Sequence, residues 1–155
     1  MNEPHKMIKI LLVEDNPDDI EITKRALKEA KIINKLWIVR DGQEALDFLQ
    51  HKGAYREPSD SPKPGLVLLD INLPKVKGTE VLRIIKQDPE LKRIPVVILT
   101  VSKRDEDVIK SYNDGCNSFI QKPVSFEGFV DVVKEVSLYW GLLNIFPYNG
   151  EGKEV

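Results

Sequence analysis

Cysteine is nearly absent from this chain: Cys116 stands alone, so no internal disulfide can form. A dominant charge is also missing. Lys and Arg number 23 against 25 Asp and Glu, a formal net charge of −2, which gives no global basic field to draw the chain to nucleic acid or to a membrane surface. Long apolar runs are lacking too. The N-terminal MNEPHKMIKILLVED holds no segment long enough for a signal peptide or a membrane span. These absences together predict a cytoplasmic protein with no direct nucleic-acid or membrane partner. Histidine is scarce as well: His5 sits in a polar start and His51 at a predicted helix end, and both read as solvated side chains rather than relay groups. No internal repeat is present. What remains, 155 residues that are 41% hydrophobic and 31% charged, suits one globular domain with a core of ordinary size.

Short runs rich in Val, Ile and Leu alternate with segments of helical period. The runs are Met7 to Val13, Leu36 to Val39, Leu66 to Leu69, Val96 to Leu99 and Ser118 to Ile120. Most lack polar alternation, as strands buried on both faces do. Asn16-Pro17-Asp18-Asp19 has the chemistry of a helix start: an Asn cap, Pro in the first turn and acids at the positive end of the dipole. That helix is expected to run to about Ala30. Further helices are expected from Asp41 to about Gln50, after Gly78 with Val81, Leu82 and Ile85 facing inward, and from Asp105 to Asp114, closed by Gly115. Five strand–helix units predict a doubly wound α/β domain, a parallel five-stranded sheet with helices on both faces.

The residues at the carboxyl ends of those strands carry the chemistry. Glu14 and Asp15 follow the first strand, Asp70 ends the third, Thr100 follows the fourth and Lys122 the fifth. Open parallel sheets bind ligands at that edge, where strand order reverses. In the order 2-1-3-4-5 the first and third strands are neighbours, so Glu14, Asp15 and Asp70 would share one crevice. Their mutual repulsion is relieved by a hard divalent cation, for which Mg²⁺ is the natural candidate. Lys122 offers a charge suited to a phosphate and Thr100 a hydroxyl donor. Asp70 is then the nucleophile placed to form an aspartyl phosphate. Taken singly, Glu14 and Asp15 could open a helix, Thr100 could be an ordinary strand-end residue and Lys122 a solvated one. Asp18 and Asp19 read as acids of a helix first turn. Only the four strand ends together point to function.

LLVEDN around Glu14 and Asp15, LLDINLP around Asp70, ILT ending at Thr100 and FIQKP around Lys122 make the chain resemble the receiver domains of two-component response regulators. The resemblance spans Ile8 to about Leu143. It implies the flavodoxin-like 2-1-3-4-5 fold and a signalling phosphoacceptor rather than an enzyme acting on a separate substrate. It implies that Asp70 receives its phosphoryl group from a sensor histidine kinase, and that Glu14, Asp15, Asp70 and the Asn72 carbonyl arrange Mg²⁺. Lys122 would hold the phosphoryl group, and a cis bond would precede Pro123. Thr100 and Phe119 would move together as the switch, although Phe119 also fits plain core packing. DINLPKVKGTEVL, NSFIQKPVSFEGF and Tyr139-Trp140 look most like the small regulators that serve phytochrome-type kinases.

Residues 1–143 then form the receiver, and residues 144–155 a polar tail with no output domain, so the signal passes to a downstream protein target through a surface. In the last helix, Phe126, Phe129, Val130, Val133 and Trp140 follow one stripe and Val132, Val136, Tyr139 and Leu143 a second. The second stripe predicts an exposed apolar strip and a homodimer contact; a wide core-facing helix is the alternative. The Pro-, Ser- and Gly-rich His51 to Gly65 is expected to be an exposed contact loop. A relay intermediate or a receiver that only binds partners would use the same residues. A flavodoxin-like electron carrier is disfavoured by the acidic EDNPDD in its phosphate loop, and an aspartate-nucleophile phosphatase by the order of the acids.

Overall fold

Strands that are apolar on both faces stay dry only if helices cover both sides of the sheet. That is the arrangement in a computed structural model of the chain, which describes residues 7–31, 34–112 and 118–132. The elements run β1 (Ile8–Val13), α1 (Pro17–Glu29), β2 (Asn34–Val39), α2 (Gly42–Gln50), β3 (Leu66–Asp70), α3 (Gly78–Gln87), β4 (Val96–Thr100), α4 (Lys103–Tyr112) and β5 (Ser118–Gln121). A further helix, α5, occupies 126–132. All strands are parallel in the order β2-β1-β3-β4-β5, the predicted one. Alternate residues of each strand feed opposite faces. Val13, Leu69 and Ile98 join the cluster under α2, α3 and α4, while Leu12, Leu68 and Leu99 join the one under α1 and α5. Among the described residues no helix is long and apolar enough to cross a membrane.

The boundaries differ from the sequence expectation in an instructive way. β3, β4 and β5 each run one residue past the apolar stretch, so Asp70 and Thr100 lie inside the ladder, opposite Leu99 and Gln121. Backbone pairing, not side-chain polarity, decides where these strands stop. α4 starts at Lys103 rather than Asp105 because Ser102 Oγ accepts the Asp105 amide at 3.1 Å and acts as the cap. The expected end of α4 at Gly115 lies outside the described residues, as do Cys116 and the 144–155 tail.

The expectations for Val132 and His51 are overturned, and the one for the 51–65 segment is refined. Val132 is only 4% exposed and packs in the core with fully buried Phe129, whereas Phe126 is 38% exposed. The inward face of α5 therefore passes through Phe129 and Val132, and Val132 is not part of an exposed strip. Val136, Tyr139 and Leu143 lie outside the described residues. The 51–65 segment is largely exposed, as expected, but it is ordered rather than irregular. It folds into two 3-10 turns, Gly53–Tyr55 and Pro58–Asp60. Tyr55 packs edge-on against Phe48 at 5.1 Å and donates its hydroxyl to Glu44 Oε2 at 2.7 Å. Nor is His51 merely solvated. It closes α2 in the left-handed region (φ 57°) and bonds buried Ser61 through Nδ1 at 3.0 Å. Ser61 Oγ also donates to the Tyr55 carbonyl at 3.3 Å.

Candidate functional site

The topology delivers the chemistry-bearing residues to one edge. β1 and β3 pair in register up to Val13 and Leu69, so Glu14 and Asp70 follow side by side. Glu14 is anchored by its amide to the Val39 carbonyl at 3.0 Å, and Lys122 by its amide to the Thr100 carbonyl at 2.6 Å. Glu14, Asp70 and Thr100 are buried, and Asp15 is exposed. Carboxylate oxygens of Glu14, Asp15 and Asp70 lie within 4.8 Å of one another. Lys122 Nζ closes the group, 2.8 Å from Glu14 Oε1, 3.1 Å from Asp19 Oδ2 and 3.2 Å from Asp70 Oδ2. All five predicted side chains at the strand ends thus come to one edge.

The loop that follows Asp70 is held largely through its backbone. The Asn72 amide donates to Asp70 Oδ1 at 3.1 Å, fixing one rim of the carboxylate. Gly78 donates to the Ile71 carbonyl at 3.1 Å and Gly42 to the Pro74 carbonyl at 3.2 Å. Neither glycine has room for a side chain: a Cβ on Gly42 would overlap the Val76 carbonyl, and one on Gly78 the Asp70 carbonyl. The chain from Asp70 to Gly78 is therefore clamped between the starts of α2 and α3. The Lys122–Pro123 bond is cis. Phe119 is half-buried against the cluster under α2, α3 and α4.

Burial and mutual charge set the electrostatics. Burial first, then the Asp70 charge, push the Glu14 carboxyl up to about 7 even though Lys122 pulls the other way. Burial works against the Lys122 ammonium. Its hydrogen bond to Glu14 and the charges of Asp70 and Glu14, with help from Asp19, outweigh burial and hold its pKa above that of an ordinary lysine. Two polar atoms here are buried without a hydrogen bond, Thr100 Oγ1 and Glu14 Oε1, the latter facing the ammonium as an ion pair only. Three hard oxygen donors close together, one of them without a hydrogen bond, fit a small divalent cation. A buried hydroxyl and an ammonium beside a carboxylate fit a phosphoryl group.

Three contributors escape the sequence pattern. Asp19 reads as a first-turn acid, and its amide indeed donates to the Asn16 Oδ1 cap at 3.0 Å, as the Asp18 amide does at 2.8 Å. Its carboxylate meanwhile reaches Lys122, a contact spanning 103 positions that no local signal announces. Gly42 and Gly78 matter through close approaches that only the assembled fold creates.

The chain matches the family model described as "Response regulator receiver domain" over residues 10–134. It is 45% identical over 131 residues to response regulator Rcp1 of Synechocystis sp., covering 84% of this chain and 87% of that protein. The solved structure of the Mn²⁺-bound form of Rcp1 is similar at a TM-score of 0.69, with 91% of this chain and 99% of that one covered and 42% identity. The bacteriophytochrome response regulator RtBRR is similar at a TM-score of 0.81 and 41% identity, covering 94% of this chain and 87% of that one. The phosphorylated cyanobacterial phytochrome response regulator RcpA gives a TM-score of 0.71 and 39% identity, with 92% and 99% covered.

Proposed function

The chain belongs to the response regulator receiver family, and from that premise we propose that Asp70 accepts a phosphoryl group from the phosphohistidine of a sensor histidine kinase. The observation that carries this reading is the meeting of Lys122 Nζ with Glu14 and Asp70 beside the unpartnered Thr100 hydroxyl. An Asp70 carboxylate oxygen attacks phosphorus, the bond from phosphorus to the donor nitrogen breaks, and the electron pair stays on the donor imidazole. Lys122 then turns its ammonium to a phosphoryl oxygen, and Thr100 donates its hydroxyl to another. Glu14, Asp15, Asp70 and the Asn72 carbonyl would hold Mg²⁺, which would supply counter-charge for the transferring group. The chemistry is confined to the protein's own phosphorylation and dephosphorylation.

The movement of Thr100, followed by Phe119, carries the signal to the protein surface, where a downstream protein target reads it. The likeness to Rcp1, RtBRR and RcpA supports a phytochrome-type kinase as the donor, and the cytoplasm as the compartment. With Val132 in the core, a homodimer contact rests on Val136, Tyr139 and Leu143; a monomer by sedimentation, with and without a stable phosphoryl analogue, would reject it.

Incubation with acetyl phosphate and Mg²⁺ tests the central step. The expected result is a labile adduct on the wild-type chain and none on Asp70→Asn. Multiple turnover of phosphate esters without an adduct would instead make the protein a phosphatase.

A further inference from the structure

An ammonium has three N–H donors, and Lys122 Nζ lies near three carboxylates: Glu14, Asp19 and Asp70. The three acids are not equivalent. Glu14 and Asp70 belong to the cluster whose oxygens converge with Asp15 on a cation site; Asp19 does not. Asp19 stands in the first turn of α1, partly open to solvent, on a helix start fixed by the Asn16 cap. A cation that engages Glu14 and Asp70 takes two of the ammonium's partners, and Asp19 is the one left.

We propose that Asp19 is a positioning residue for the phosphoryl-transfer step: it draws the Lys122 ammonium away from Glu14 and Asp70, so that a divalent cation can occupy those acids while the ammonium stays beside the reacting edge. Without Asp19 the ammonium pairs with Glu14 and Asp70 alone. With Asp19 in place the ammonium already meets Asp70 Oδ2, a candidate attacking oxygen, at 3.2 Å; without Asp19 it has no third acid to turn to when the cation arrives and competes for that oxygen. This inference rests on the receiver reading of the site and assigns a residue that the metal cluster and the strand ends leave out.

The test uses the full chain and three substitutions. Asp19→Asn removes the contact, and Asp18→Asn removes the same charge one residue away, where the carboxylate makes no contact with Lys122. Lys122→Ala serves as a background for both. Two quantities are read: Mg²⁺ affinity by calorimetry, and the initial rate of labelling by acetyl phosphate. Asp19→Asn is expected to weaken Mg²⁺ binding and slow labelling by roughly threefold each, the scale of a partly exposed ion pair. Asp18→Asn should have a clearly smaller effect, and Asp19→Glu should restore most of the loss. In the Lys122→Ala background, Asp19→Asn should leave Mg²⁺ affinity unchanged, because the residue acts through the ammonium.

Equal effects of Asp18→Asn and Asp19→Asn, or an undiminished Asp19→Asn effect on Mg²⁺ binding in Lys122→Ala, would overturn the inference and reduce Asp19 to one more distant negative charge. A wild-type chain that labels normally but ignores Asp19→Asn rejects this inference alone. A wild-type chain that takes no phosphoryl group and binds no Mg²⁺ rejects the receiver reading with it.

Discussion

Around Ser61 the polar groups are answered from within the fold. Tyr55 donates to Glu44, Glu44 accepts the Arg40 amide, Ser61 donates to the Tyr55 carbonyl and His51 bonds Ser61. At the strand ends the opposite holds: two buried oxygens lack a hydrogen bond, Glu14 is pushed up to about 7, and one ammonium serves three acids. Both regions bury polar atoms against the same sheet. The first completes its bonds and stabilises a turn-rich segment. The second leaves bonds to be completed by an ion and a phosphoryl group, and its folded state bears the cost until they arrive.

The largest expected effect comes from the backbone that supports the second region. Gly78→Ala forces a methyl group into the Asp70 carbonyl, which cannot move aside; a loss of about 3 kcal/mol in urea denaturation is expected, the scale of core overpacking. At Gly65 an added Cβ would meet only ordinary contacts, the nearest at 3.6 Å, so Gly65→Ala should cost well under half of that.

Next in size is the coupling of pH and Mg²⁺. The Glu14 carboxyl titrates at about 7 in the folded chain against an ordinary value of 4.5, so between these values the folded protein keeps a proton that the unfolded chain has released. Stability contributed by Glu14 is therefore full below 4.5 and is lost as pH rises to about 7. Mg²⁺ binds the ionised cluster of the folded state and restores what is lost, by about 1.4 kcal/mol at roughly ten times its Kd. Thermal melts should show a larger Mg²⁺ shift at pH 8 than at pH 5; equal shifts would remove Glu14 from the site.

Tyr55→Phe should cost about 1 kcal/mol by loss of one hydrogen bond, with no change in Mg²⁺ affinity, because its partner Glu44 lies in the completed region. The smallest effect runs the other way. Thr100→Val removes a buried hydroxyl that has no partner and should raise stability by up to about 1 kcal/mol while impairing the response to phosphorylation. Thr23 in α1 has the same unpaired hydroxyl away from the strand ends; Thr23→Val should give the stability gain without touching labelling.

The contrast also explains what the sequence could announce. The strand–helix alternation and the candidates Glu14, Asp15, Asp70, Thr100 and Lys122 were legible because apolar runs are continuous and each is followed by chemically distinctive residues, while the order 2-1-3-4-5 that brings those ends together came with the family resemblance. The contact between Asp19 and Lys122 was not legible, since an acid in a first turn looks the same whether or not a lysine from the far end of the sheet reaches it. In the 51–65 segment, composition announced exposure, which holds, but not the anchors: Tyr55 reaches Glu44 and Ser61 the Tyr55 carbonyl, and they fold the segment onto α2. Val132 misleads because helical stripes fix spacing but not which stripe faces the sheet, and the packing of Phe129 decides that.

The central claim is that the buried carboxylate at the end of β3 is the group that becomes phosphorylated. Its most direct test is borohydride reduction of the protein after acetyl phosphate and Mg²⁺ treatment, followed by peptide mapping, since reduction converts only an acyl phosphate to the alcohol. The account predicts conversion at position 70 alone, dependent on Mg²⁺. Conversion at Glu14, Asp15 or Asp19 instead, or none on a chain that had demonstrably bound Mg²⁺, would contradict it.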